Sequence, residues 1–240
     1  MKFKLDLSSE PAERLERMSE AGKRILRTYG QFEKAGSNVV ARVLAHQGTF
    51  YEHDHYPKGD VYDDETKSQY YYHAHRAESG EHGHFHTFVR AAAIPAGIEP
   101  APYEGTAERP LGDEAICHLV AVSMNRPGFP EGLFTVNRWV TAETFYAADD
   151  AIAILDRFAI DHVHPCLAVN WWLTDILRLF RPQIAALLIE RDRVITSWQR
   201  RHPDRDVYED RELEVTSALP IDVDKQIGAV EQALVACKAA

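Results

Sequence analysis

Apolar residues recur at helical spacing toward both ends of the chain and at strand spacing in its middle. Near the start, Ser8 or Ser9 followed by Glu10 and Pro11 reads as an N-cap with proline in the first turn. Leu15, Met18, Ile25 and Leu26 then give a broken period of about 3.6 residues, which predicts an opening helix ending near Gly30 and a second over 31–45. From about residue 49 to 141 the pattern changes. Tyr, Phe, Val and Thr become abundant and Gly and Pro punctuate them, which predicts strands over 69–76, 82–92, 116–124 and 133–141. The first pair is joined by AESGE and the second by NRPGFPE, and such short connections imply antiparallel neighbours. The stretch 94–113, rich in Pro and Gly, reads as a long surface loop able to cover a site. After Tyr146 helical spacing returns, predicting helices over 149–160, 166–180 and 182–202 and a last one from Asp222 or Asp224 to about Cys237. The sum is an α+β fold: a central antiparallel sheet carrying a histidine-rich hairpin, flanked by N- and C-terminal helices. One domain is expected over 1–240, helical over 1–47, β-rich over 48–145 and helical over 146–240.

The hairpin matters because of its histidines. Nine of the twelve in the chain stand in His-x-His spacings, and five crowd into YYHAHRAESGEHGHFH, between His73 and His86. Two residues is the period of a strand, so each set can present its rings on one face. Neutral imidazole is the commonest protein ligand for transition metals, which points to a metal site. With 76–81 as the connection, His75 faces His82, His73 faces His84 and Tyr71 faces His86. Directly opposed residues point to the same side with Cβ atoms about 4.5–5.5 Å apart. The candidate ligands are therefore His73, His75, His82, His84 and His86, and a one-residue bulge would throw one set to the other face.

His53 and His55, in a loop-like segment just ahead, are possible additional ligands. Glu78, Glu81 and Asp60 are placed to hold the second ring nitrogen of a ligand, or to ligate. Arg76 and Arg90 end the two histidine strands and could fork an anionic substrate. His118 shares its predicted strand face with Val120 and Val122 and reads as a core histidine, while His162 and His164 read as helix-end or core residues.

Composition narrows the function classes. With 45% hydrophobic and 27% charged residues the chain reads as soluble and globular. A net charge of −10 without a Lys/Arg run argues against nucleic acid as a partner. Three isolated cysteines without CxxC suit a reducing compartment and argue against a zinc ribbon. The N-terminus lacks a signal-peptide apolar region and no stretch approaches the roughly 18 apolar residues of a membrane span, so a cytoplasmic protein without membrane contact is expected. HExxH, GxSxG, GxGxxG and GxxxxGK[ST] are missing.

The strings HYPKGDVYD, QYYYHAHR and EHGHFHTFVR, spanning roughly residues 51–90, resemble an uncharacterised family of bacterial proteins. That resemblance implies that these residues belong together and assigns no activity. His73-Ala-His75 is also superficially similar to the first motif of the cupins. Glu78 follows it too soon, His82-Gly-His84 has no Glu at the right distance, and the helical C-terminal third is foreign to a minimal cupin barrel, so that assignment is not adopted. The preferred expectation is a non-haem metalloenzyme with one transition-metal ion (Fe, Zn or Cu) and a small-molecule substrate, hydrolytic with zinc and oxidative with iron or copper. The alternatives are a non-catalytic protein that sequesters or senses a metal, and a pH-responsive scaffold for an acidic ligand.

Overall fold

Six strands form one antiparallel sheet in chain order: β1 (Tyr56–Tyr62), β2 (Ser68–His73), β3 (Gly83–Arg90), β4 (Ile116–Met124), β5 (Pro130–Val136) and β6 (Val215–Pro220). The computed structural model describes residues 6–75 and 80–239. Among these, seven helices flank the sheet: α1 (Ala12–Lys34), α2 (Val39–Val43), α3 (Arg138–Thr141), α4 (Ala148–Leu155), α5 (Leu167–Leu179), α6 (Arg181–Arg201) and α7 (Val223–Ala239). The fold is α+β, with helices from both ends of the chain around a central antiparallel sheet.

Strand alternation sorts the sheet into two different faces. Tyr70, Tyr72, Phe85, Val89, Val122 and Leu133 enter the main hydrophobic core, where Phe85 meets Trp172 of α5 with ring centroids 5.7 Å apart. The other face carries Tyr71, His73, His84 and His86 beside a smaller cluster of Ala121, Phe134 and Val136. All of β2, and β3 as far as Val89, is buried, so both faces of this pair are covered. Behind the core, α1 packs on α5 and α7 through a stripe of Leu15, Met18, Ala21 and Ile25. Gly22 lets α7 approach closely, since a Cβ there would lie 2.8 Å from Ile227 Cγ1.

Several elements differ from expectation. Helix α1 runs through Gly30 and does not break there; Ser8 and Ser9 fall in a short 3₁₀ turn ahead of it. A mid-helix glycine costs about 1 kcal/mol. Burying Ile25 and Phe32 on either side of it returns about 1.5–3 kcal/mol each. The separate α2 is started by Asn38, whose side chain accepts from Ala41 N at 2.7 Å. Strands β1 and β6 escaped the sequence pattern, β1 because a bulge between Tyr56 and Val61 interrupts its alternation. The predicted strand over 133–141 stops at Val136, because the Asn137 side chain accepts from Arg138 N at 2.9 Å and opens α3. The long loop over 94–113 is tied to Asp206 through Tyr103 (2.6 Å) and to Thr144 O through Arg109 (3.2 Å). Cys117, Cys166 and Cys237 are free thiols, and among the described residues no helix is long and apolar enough to cross a membrane.

Candidate metal centre

The β2–β3 register pairs His73 with His84 and Tyr71 with His86, so four rings project from adjacent strands toward one side. His73 Nε2 and His84 Nε2 stand 2.7 Å apart. His75, just past the end of β2, brings its ring centroid to 4.9 Å from His73 and 5.1 Å from His84. One nitrogen from each of His73, His75 and His84 lies within 4.8 Å of the others, a separation from which an ion could be held.

The second nitrogen of His84 is committed. Its Nδ1 bonds the Glu81 carboxylate, whose other oxygen accepts from Ser123 Oγ on β4 at 2.9 Å. A carboxylate holding Nδ1–H fixes the tautomer and leaves Nε2 as the basic nitrogen, the arrangement usual for metal-binding histidine. Facing lone pairs at this separation would repel, so in the metal-free protein the hydrogen between the two Nε2 atoms belongs to His73, and it would have to shift to His73 Nδ1 for that Nε2 to bind an ion. Burial, followed by the neighbouring imidazoles, pushes the His73 pKa down to about 2, and the ring is neutral. Bonds of about 2.0–2.1 Å to a tetrahedral ion place neighbouring nitrogens about 3.3 Å apart. The 2.7 Å pair would open and the wider pairs close, both within reach of side-chain rotation.

A second carboxylate–histidine pair sits beside this group. Asp60 Oδ1 lies 3.0 Å from His55 Nδ1, and its Oδ2 accepts from Gln69 Nε2 at 2.7 Å. Gln69 in turn accepts from Arg90 Nη1 at 2.9 Å. The half-exposed His55 ring stacks on Tyr71 at 3.6 Å and meets His73 edge-on at 5.7 Å. Asp60 reaches this position from the β1 bulge with φ +62°, left-handed backbone that is uncommon outside glycine. His53 also has positive φ; its N–H donates to Ala74 O at 3.0 Å and its ring stacks on His75 at 5.3 Å.

Deeper in the sheet, His86 Nδ1 lies 2.9 Å from His118 Nε2. Burial is the main cause that lowers both pKa values, His86 well below the ordinary range and His118 to about 3. The backbone N–H of His118 donates to Glu143 Oε2 at 2.7 Å. Burial raises that carboxyl to about 7 against the pull of Arg191.

A family profile described as "Domain of unknown function (DUF6969)" matches residues 19–221, most of the chain and all of the groups above. The protein belongs to this family. No curated protein and no solved structure matches it.

In this DUF6969 member the sheet brings His73, His75 and His84 together and sets His86 next to them, with His53 and His55 at their outer side. His82 is a correction. Its Nδ1 bonds Tyr72 Oη at 2.7 Å on the opposite face, because β3 starts at Gly83 and the alternation does not extend back to it. Gly83 makes this possible, since a Cβ there would lie 2.5 Å from Tyr72 Oη. Arg90 donates to Gln69 and lies over the Tyr62 ring, and through Gln69 it braces the Asp60–His55 pair. Arg76 and Glu78 lie outside the described residues.

Sequence reasoning missed Ser123 and misplaced His118. Between Thr87 and Phe88 the β3–β4 register shifts, pairing Thr87 with Val120 but Phe88 with His118, so Leu119 is extra. That bulge turns His118 away from the face of Val120 and Val122 and toward His86. An HxV repeat carries no trace of such an insertion.

Proposed function

We propose that His73, His75 and His84 bind one transition-metal ion, with Glu81 and Ser123 orienting His84, and that the protein is a metal-dependent enzyme acting on a small molecule. The observation that carries this reading is the convergence of three imidazoles on one point, one with its Nδ1 locked by a buried carboxylate. An all-nitrogen set suits zinc, copper or iron. Three ligands among the described residues would leave a position for water or substrate, as in catalytic sites, and this supports an enzyme over storage. A bound ion would supply Lewis acidity, or redox chemistry if it is iron or copper. His55, giving its Nδ1–H to Asp60, keeps the lone pair of Nε2 available at the exposed edge of the group.

Metal analysis of protein purified without a His tag, followed by calorimetric titration of the metal-free chain with Zn²⁺, Fe²⁺ and Cu²⁺, tests the proposal. The expected result is one ion per chain, with binding abolished in His73→Ala/His84→Ala and retained in His202→Ala, whose ring packs on Trp198 at the end of α6. Equally weak binding of all three ions by the wild type and the double variant overturns it.

A further inference from the structure

His86 is the buried imidazole that the metal reading leaves without a task. It is fully buried, its Nδ1 is engaged by His118, and its Nε2 has no hydrogen-bond partner among the described residues. An unpaired buried polar atom is costly, which makes an unaccounted partner the economical explanation. The two nitrogens of an imidazole point to opposite sides of the ring. His118 lies on β4, on one flank of β3, so Nε2 is directed toward the β2 flank. There the rings of Tyr71, directly opposite, and of His73 each stand 5.1 Å away, and His84 is 4.9 Å away along β3 itself. His86 is nonetheless outside the group whose nitrogens come within 4.8 Å of one another. Its nitrogen therefore adjoins the ion's surroundings without joining the ligand set.

We propose that His86 Nε2–H donates a hydrogen bond to a small anionic or oxygen-donor ligand held at the open position of the metal, and that His118 is the positioning residue that fixes this tautomer by donating its own Nε2–H to His86 Nδ1. The inference rests on the metal reading and adds the class of ligand: compact, unable to supply a proton of its own, and accepting from an N–H in a dry site. Burial of His86 strengthens that bond, since bulk water does not reach the ring to compete.

Azide binding to the Cu²⁺- or Co²⁺-loaded full chain, followed by its charge-transfer absorption, is the test. His86→Ala should keep one metal per chain and lose azide affinity about tenfold or more, the size of a hydrogen bond to a charged acceptor. His86→Gln, whose amide still donates, should recover part of that loss, and His118→Ala should weaken azide by about threefold while leaving metal stoichiometry unchanged. If His86→Ala does not fold, the other two variants carry the test. Azide affinity unchanged in all folded variants overturns the proposal, and so does loss of metal in His86→Ala or His86→Gln, which would make His86 a ligand. Failure of the wild type to bind metal removes the metal reading and this proposal together, whereas normal metal binding with unchanged azide affinity removes this one alone.

Discussion

Removing the Glu81 carboxylate should weaken metal binding without touching a ligand. Its Oε1 holds His84 Nδ1 and its Oε2 is held by Ser123, and the Glu81 and His84 side chains are 6% and 1% exposed. A hydrogen bond to a charged group contributes about 1.5–3 kcal/mol in such a setting. At about 1.4 kcal/mol per decade, transferring all of it to metal affinity gives about 10–150-fold. The carboxylate–histidine partners of known metal sites, at about 10–100-fold, agree with that range. Glu81→Ala should therefore raise the dissociation constant for Zn²⁺ by about 10–100-fold. Glu81→Gln keeps an acceptor and the side-chain shape but loses the charge, and should cost about tenfold or less. Competition with a chromophoric chelator near neutral pH reads the constant directly, with circular dichroism as the check on folding. A folded Glu81→Ala protein that binds Zn²⁺ within about twofold of the wild type would refute the assignment of Glu81 to His84.

Two further outcomes follow from the same geometry. In Gly83→Ala the new methyl group would stand 2.6 Å from His73 O and 2.5 Å from Tyr72 Oη, so the β2–β3 backbone must shift. Thermal melts should show about 1–3 kcal/mol of destabilisation together with weaker metal binding, and wild-type values for both would contradict the packing described. For the metal-free chain, His73 at about 2 and His118 at about 3 lie below the ordinary 6.5, so the unfolded chain takes up protons below about pH 6.5 that the native chain refuses. Each lowers stability by at most about 1.4 kcal/mol per pH unit as the pH falls. Glu143, raised from 4.5 to about 7, opposes them between those values, because there the native chain holds a proton that the unfolded one lacks. His86, also lowered by burial, acts in the same direction, so three histidines against one carboxyl predict a urea midpoint that declines from pH 6.5 and more steeply below 4.5; a flat or rising midpoint on acidification would count against these burials.

Much of this protein was legible in its sequence because the information is local. Period-two alternation through QYYYHAHR and GHFHTFV set which residues of β2 and β3 share a face, and the short connection set the pairing of His73 with His84. The helices from α4 onward, and β4 to the residue, follow from periodicity and punctuation in the same way. The remainder depended on contacts between distant segments. Packing on α5 and α7 carries α1 through Gly30 against its propensity. An extra Leu119 in β4 turns His118 from the apolar core to His86, and the strand start at Gly83 sends His82 to Tyr72. Ser123 joins the centre only because β4 lies beside β3, and Asp60 only because a bulge holds it in left-handed backbone. Alternation specifies a face only while the ladder stays regular, and the energy that makes a bulge worthwhile comes from tertiary packing that no local pattern records.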